Sequence, residues 1–286
     1  MISKSAKPIL DHAVADFLKS LESSQIFSAT EVSPIEDQKQ AFINEFEAWV
    51  QPRDPGPFAS LREWPKVITD GTTAAFLDFS AKYPERKLYV LNAEYPFHKM
   101  TGAQVAAYYL DLPEGTKLIL SYPFSATGSV HEDLMAILAH CEQKNIKVFI
   151  DCALLFISEL KLLHFERFTC VAAVAFSLSK SFCTGRFRIG VCYTREVWAQ
   201  SPSYVLNEWS YLNHLSMWIH RKLMRQFPVD YIFTKYRSPQ KELCLKYGVE
   251  LSDTVIFGLS KDARFAEFTR SGAVNRLCFS ELLGGR

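Results

Sequence analysis

Ser177-Leu178-Ser179-Lys180-Ser181-Phe182-Cys183-Thr184-Gly185-Arg186-Phe187-Arg188-Ile189-Gly190 joins two runs that read as strands, the small and apolar residues 171–177 and the segment 189–193. Lys180 therefore stands just past a strand end, in a loop that carries two arginines into the next strand. A lysine so placed is poorly solvated and can act as a neutral amine nucleophile, as Schiff-base chemistry requires. Ser177 and Arg188 are suited to hold a phosphate beside it, through hydroxyl and charge-assisted hydrogen bonds. The plain alternative is a solvated loop with ordinary surface charges.

Outward from this loop, short apolar runs alternate with longer helical patterns. Strands are expected over 66–69, 87–92, 117–122 and 147–152, with helices near 73–82, 101–110 and 131–144. Such alternation predicts an α/β fold with crossover helices on a mostly parallel sheet, whose ligands bind at the carboxyl ends of the strands. Residues 34–50 read as an amphipathic helix that the Pro- and Gly-rich segment 51–57 ends. Later, 205–227 reads as one long helix, followed by strands over 255–259 and 276–280 around a polar helical stretch at 261–270.

Several of the predicted strand ends carry candidate chemistry. Asp151, in Ile150-Asp151-Cys152-Ala153, ends an apolar strand, where a carboxylate either pairs with a cation such as a protonated pyridine nitrogen or is a hydrogen-bonded cap. Ala153 leaves room for a flat ring. Asp70-Gly71-Thr72-Thr73 opens a helix, and its backbone N–H groups and hydroxyls form either an anion site or a simple N-cap. Tyr95-Pro96-Phe97-His98 offers an aromatic face and an imidazole within reach of Asp151, or a core aromatic with a satisfied histidine. Arg276 is suited to bind a carboxylate bidentately, or is a surface strand arginine.

Composition narrows the class. The 286 residues are 48% apolar and 14% aromatic, ample for a packed core. With 32 basic and 31 acidic residues, the net charge of +1 points to neither nucleic acid nor a membrane surface. Seven widely spaced cysteines without a Cys-x-x-Cys pair suggest neither a disulfide framework nor a zinc site. Charges at Lys4, Lys7, Asp11 and Asp16 interrupt any signal-peptide core, and no apolar run nears the ~20 residues of a membrane span. A cytoplasmic location is expected.

Taken in chain order, these segments resemble the fold-type-I pyridoxal-phosphate (PLP) enzymes of the class I/II aminotransferase family. The resemblance is best over 67–193, weaker over 255–280, and largely lost over 1–66. Its most specific elements are Ser-x-x-Lys with Arg-x-Gly eight positions later, and Asp-x-Ala at a strand end. It implies a three-layer α/β/α large domain near 66–195, with a reduced small α+β domain drawn from 1–65 and 196–286. It implies PLP as cofactor, a homodimer with shared active sites, and an amino acid as substrate. Residue by residue, it implies that Lys180 forms the Schiff base and moves protons. Asp151 would pair with the pyridine nitrogen, with His98 behind it and Tyr95 stacked on the ring. Gly71, Thr72, Thr73, Ser177 and Arg188 would hold the phosphate, Ser125 and Ala153 would face the cofactor, and Arg276 would bind the substrate carboxylate.

Three departures stand out. Ser125-Ala126-Thr127-Gly128 occupies the place of the family's Asn-Pro-Thr-Gly, and Leu154 that of a tyrosine. Both lost groups hydrogen-bond the cofactor's phenolic oxygen in the family, and Ser125 or Tyr122 could stand in. The chain is also short for the family. Transamination between an amino acid and a 2-oxo acid is the leading expectation. Another PLP reaction (decarboxylation, elimination or cyclisation) and a non-catalytic module are the alternatives.

Overall fold

The expected strands form by simple alternation, each sending neighbouring side chains to opposite faces. In the computed structural model, which describes residues 1–21, 35–270 and 274–285, seven strands make one sheet. They are β1 (Lys66–Thr69), β2 (Leu88–Leu91), β3 (Gln104–Ala106), β4 (Lys117–Ser121), β5 (Lys147–Cys152), β6 (Val171–Ser177) and β7 (Gly190–Thr194), in the order β1-β7-β6-β5-β4-β2-β3. Only β7 runs against its neighbours. Strands β4, β6 and β7 are buried along their whole length, as expected when both faces of a parallel sheet are covered.

The two covering layers can be read from alternate residues. Leu118, Leu120, Val148, Ile150, Val174 and Phe176 join a core with Phe42, Phe46, Trp49 and Phe58 from the helices Ile35–Val50 and Pro55–Leu61. Ile119, Phe149, Ala173 and Ala175 face the other way, onto Ala75, Phe76 and Phe79 of the helix Thr72–Ala81. The small residues of β6 on that face let the helix sit close. A second, antiparallel sheet has the order β10-β11-β9-β8, with β8 (Glu250–Leu251), β9 (Phe257–Ser260), β10 (Thr269–Arg270) and β11 (Val274–Cys278). No helix among the described residues is long and apolar enough to cross a membrane.

Three expectations need correction, and one helix was not expected. The helix expected at 101–110 is instead a 3-10 turn, Pro96–Thr101, ended by Gly102 at φ 80°, and then the edge strand β3. The single helix expected over 205–227 is two, Pro202–Glu208 and His214–Gln226. Ser210 between them takes a left-handed φ of 58°, and the Asn213 side chain caps the second by accepting from Ser216 N. The polar helix expected at 261–270 is a 3-10 turn, Ala263–Phe268, followed by β10. The helix Tyr231–Tyr247 had no counterpart in the sequence reading, because Pro239 lies inside it and its charged residues blur its apolar face. The helix expected from Pro34 runs over Ile35–Val50, Pro34 itself lying outside the described residues.

Candidate active site

The carboxyl ends of β1, β4, β5 and β6 all point to one side of the large sheet, and a cavity of about 480 Å³ opens there. That volume is within the usual range for small-molecule sites. Ten of the twelve candidate residues line it: Thr72, Thr73, Tyr95, Ser125, Asp151, Ala153, Ser177, Lys180, Arg188 and Arg276. Gly71 and His98 stand immediately behind its wall, in contact with Arg188 and Asp151 respectively.

Asp151 is the penultimate residue of β5, in the middle of the sheet, between Ser121 and Ala175. It is almost wholly buried. One oxygen accepts from the Ala153 N–H at 3.0 Å, and the other lies 3.1 Å from His98 Nε2. Burial by itself would raise this carboxyl. The hydrogen bond and charge of His98, the Ala153 N–H and the Thr72 hydroxyl outweigh it and hold the group below the ordinary carboxylate range. Asp151 is thus kept ionised and aimed at the cavity.

Lys180 lies in the loop between Ser177 and Gly190, which face each other across β6 and β7. Burial pushes its ammonium down, Asp151 opposes that, and the charges of Arg188 and Arg276 add to it, with a net shift downward. The loop is held from behind by a buried pair, Thr184 Oγ1 and His220 Nε2 at 2.7 Å. Arg188 Nε donates to Asp70 O at 3.2 Å, and Nη2 donates to Thr73 Oγ1 at 2.8 Å, which ties the lysine loop to the turn after β1. Two glycines make that junction possible. Gly71 has φ 78°, and a side chain there would press on Arg188 and Ser177 at 3.3 Å. A Cβ at Gly190 would fall 2.1 Å from Phe176 O. Gly71, Thr72, Thr73, Ser177 and Arg188 together form a pocket of backbone N–H, hydroxyl and guanidinium donors at a helix start, which suits an anion.

Tyr95 is 44% exposed, with its ring on the cavity and edge-on to His98 at 5.3 Å between centroids. On the opposite side of the site, Arg276 of β11 is 3% exposed. It donates to the carbonyls of Ser125 and Lys4, and its guanidinium lies over the Phe257 ring at 4.2 Å. Its Nε has no partner among the described residues.

One expectation about the departures fails. Tyr122 cannot replace the missing phenolic-oxygen donor, because its hydroxyl donates to Lys161 O at 2.6 Å and the residue does not line the cavity. Ser125 and Leu154 do line it.

The sequence reading missed four residues of the site. Ser179 Oγ is buried without a hydrogen-bond partner among the described residues, and its place directly before Lys180 was a usable signal. Glu94, behind the wall, accepts from Ser121 N at 2.6 Å, Ser121 Oγ at 2.7 Å and Tyr95 N at 3.0 Å, and lies 3.7 Å from His98 Nδ1. Its signal was an acidic residue shortly after an apolar strand. Arg270 lines the cavity but was placed in a polar helix. Lys4, near the N-terminus, gave no signal.

No family model matches the sequence, and no curated protein matches it. Solved structures do. An aspartate aminotransferase variant of Thermus thermophilus superposes with a TM-score of 0.69 at 14% identity, covering 97% of this chain and 86% of that one. A methionine aminotransferase of Escherichia coli gives 0.64 at 14% identity, covering 98% and 91%. A PLP-bound C-S lyase of Staphylococcus hominis gives 0.65 at 12% identity, covering 85% and 75%. The mostly parallel seven-stranded sheet, with its cavity at the strand ends, is the fold of the class I/II, fold-type-I aminotransferases.

Proposed function

We propose that this chain is a PLP-dependent enzyme that transfers an amino group between an amino acid and a 2-oxo acid, with Lys180 carrying the cofactor. One observation carries the reading. A lysine amine shifted toward neutrality, a buried ionised carboxylate backed by an imidazole, and an anion pocket share one cavity. The residues present fit the cofactor. Gly71, Thr73, Ser177 and Arg188 would hold its phosphate, and Ser179 lies on the same cavity. Asp151 would face the pyridine nitrogen, Tyr95 one face of the ring, and Ala153 leaves space beside it.

Bound here, PLP supplies an electron sink for the charge left at the substrate Cα when its proton is removed. The chain's own residues supply the rest. With the cofactor bound, the Lys180 amine would be the base that moves the Cα proton, and its lowered affinity for protons suits that task. Arg276 holds the substrate carboxylate and so fixes which Cα bond faces Lys180. Asp151, held ionised by its neighbours, keeps the ring nitrogen charged. A homodimer with shared sites and a cytoplasmic location belong to the same reading.

The test is a half-reaction. Holoenzyme mixed with a panel of amino acids should release 2-oxo acids and leave the cofactor in its amine form. A second reading, elimination or decarboxylation, is favoured by the apolar Leu154 where the family has a hydroxyl. Release of ammonia or carbon dioxide in the same assay would select it. A cofactor spectrum that no amino acid changes would leave only a non-catalytic module.

A further inference from the structure

Behind Asp151 an imidazole stands between two carboxylates. His98 is wholly buried, with Nε2 3.1 Å from Asp151 Oδ2 and Nδ1 3.7 Å from Glu94 Oε2. Phe76 and Tyr95 pack edge-on against the ring, at 4.7 and 5.3 Å between centroids, and bring no charge to it at neutral pH. Asp151 is ionised and can only accept, so Nε2 carries a hydrogen. A neutral ring would therefore leave Nδ1 as a bare lone pair. Nδ1 has no hydrogen-bond partner among the described residues and faces a carboxylate oxygen. Two buried acceptors turned toward each other are unfavourable.

A proton on Glu94 does not relieve the conflict. Oε1 of this buried side chain accepts from Ser121 N at 2.6 Å, and Oε2 accepts from Ser121 Oγ at 2.7 Å and Tyr95 N at 3.0 Å. All three bonds favour the ionised carboxylate. Oε2, the oxygen nearest Nδ1, has both lone pairs engaged, so it is not free to carry a proton toward the ring. A proton on Nδ1 instead turns repulsion into attraction, since an opposite charge within about 4–6 Å favours the charged form. The engaged Oε2 also accounts for the length of the contact, which is an ionic distance and not a hydrogen bond. Two carboxylates and one imidazolium carry one net negative charge. Lys180 lies within electrostatic reach of Asp151, and Arg270 and the partly buried His131 within reach of Glu94. Buried charges are tolerated when they are paired in this way.

We infer that Glu94 holds His98 as an imidazolium, so that Asp151, His98 and Glu94 form a carboxylate–imidazolium–carboxylate chain with Glu94 as the positioning residue at its far end. The charge that helps to keep Asp151 ionised thus originates two side chains away from the cavity. Its use, a carboxylate kept ready for a ring nitrogen, rests on the proposed PLP chemistry. The proton on His98 does not.

NMR of holoenzyme labelled with nitrogen-15 in its seven histidines reads that proton directly. The measurement is made at about pH 8, where an ordinary imidazole, near 6.5, is neutral. The His98 signal, identified by its loss in His98→Gln, should show a hydrogen on both ring nitrogens in wild type. In Glu94→Gln, whose amide can donate to Nδ1, His98 should lose the Nδ1 hydrogen and keep the one on Nε2. Glu94→Ala should show the same loss and serves if the amide variant misfolds. Circular dichroism confirms that each variant is folded. A singly protonated His98 in wild type would overturn the inference. So would folded Glu94 variants that keep both hydrogens, since Asp151 alone would then hold the charge. The same spectra of cofactor-free protein, with borohydride labelling of Lys180, separate this failure from failure of the PLP reading. A doubly protonated His98 that Glu94→Gln discharges, in protein that gives no adduct on Lys180, upholds the chain and rejects only the cofactor.

Discussion

The two walls of the cavity use the same kinds of side chain but bond them differently. On the large-sheet wall, Asp151 is held by His98, Ala153 N–H and Thr72, and Arg188 is tied to Asp70 O and Thr73. On the small-sheet wall, among the described residues, Arg276 Nε has no hydrogen-bond partner and Arg270 faces the cavity with no ion pair to a carboxylate. The first wall is preorganised, its charges fixed before any guest arrives, as a permanently bound group requires. The second keeps donors in reserve, as suits a guest that enters and leaves. On the proposed function, the large sheet is the cofactor wall and the small sheet the substrate wall.

The most severe way to break this contrast is to remove the lysine that, on the proposed function, both guests would meet. Lys180→Ala should abolish turnover and the phosphopyridoxyl mass that borohydride otherwise fixes on residue 180, with circular dichroism unchanged. A reduced adduct on another lysine would move the cofactor site. Next comes Asp151→Ala, which leaves the fold but removes the charge facing the ring. Turnover should fall about 10³-fold or more, each ~1.4 kcal/mol of barrier being tenfold in rate. Near-normal turnover in steady-state assays would mean that the preorganised wall serves something other than the pyridine nitrogen.

How legible these walls were in the sequence follows from how each is built. The large-sheet wall is local. Asp151, Ser177 and Lys180 stand at or just past the ends of apolar runs, so period-two patterning and strand-end logic were enough to place them. The small-sheet wall is made of short, irregular pieces. β10 has two residues and follows a 3-10 turn, so no periodicity marks it, and Arg270 was read as part of a polar helix. Glu94 was missed for a third reason: its importance lies in contacts with Ser121, distant in sequence. The long helix expected over 205–227 failed because one residue, Ser210, takes a left-handed conformation that no residue preference announces.

Glu94 also gives a way to sharpen the contrast. Its two oxygens accept three hydrogen bonds, two from Ser121 and one from Tyr95 N–H. Glu94→Gln keeps the size but replaces one acceptor by an NH₂ group, leaving the Tyr95 N–H facing a donor. The cost should be roughly 1–3 kcal/mol, that of an unsatisfied buried group. Thermal unfolding of cofactor-free protein should therefore begin several degrees earlier, and PLP affinity should fall as Tyr95 loosens. An unchanged midpoint and an unchanged affinity would show that Glu94 holds nothing.

His220 supports the lysine loop from the core side, through Thr184 and Ser216 O. Burial pushes its imidazole down to about 4. Because the folded value is depressed below the unfolded one, near 6.5, the neutral ring's contribution is fully present above pH 6.5. It is lost as pH falls from there through about 4. At most about 3 kcal/mol is at stake over that window. The unfolding midpoint should drop between pH 6.5 and 4 in wild type, and the drop should be shallower in His220→Gln. Parallel curves for the two proteins would place the acid sensitivity elsewhere.

The smallest expected effect concerns the point where the cofactor wall departs from the family. Leu154 is 8% exposed and lines the cavity. Its other contacts are to the apolar cluster of Ile157, Val255 and Phe257. With the Tyr122 hydroxyl donating to Lys161 O, Ser125 is the one of the two expected donors to the cofactor's phenolic oxygen that lines the cavity. A phenol donating there favours the ionised oxygen, and its absence favours the protonated form, so the bound cofactor should keep its visible absorbance across neutral pH and titrate only in alkaline solution. Leu154→Tyr should lower that titration by about one pH unit, the size of one hydrogen bond made to a single charge state. The larger ring has the cavity to grow into, whereas growth toward Phe257 would strain the cluster. A spectral pH titration of both proteins decides the matter. If wild type titrates well below neutrality, or if Leu154→Tyr folds, binds PLP and moves nothing, then Ser125 already supplies the lost hydrogen bond and the departure at Leu154 is silent.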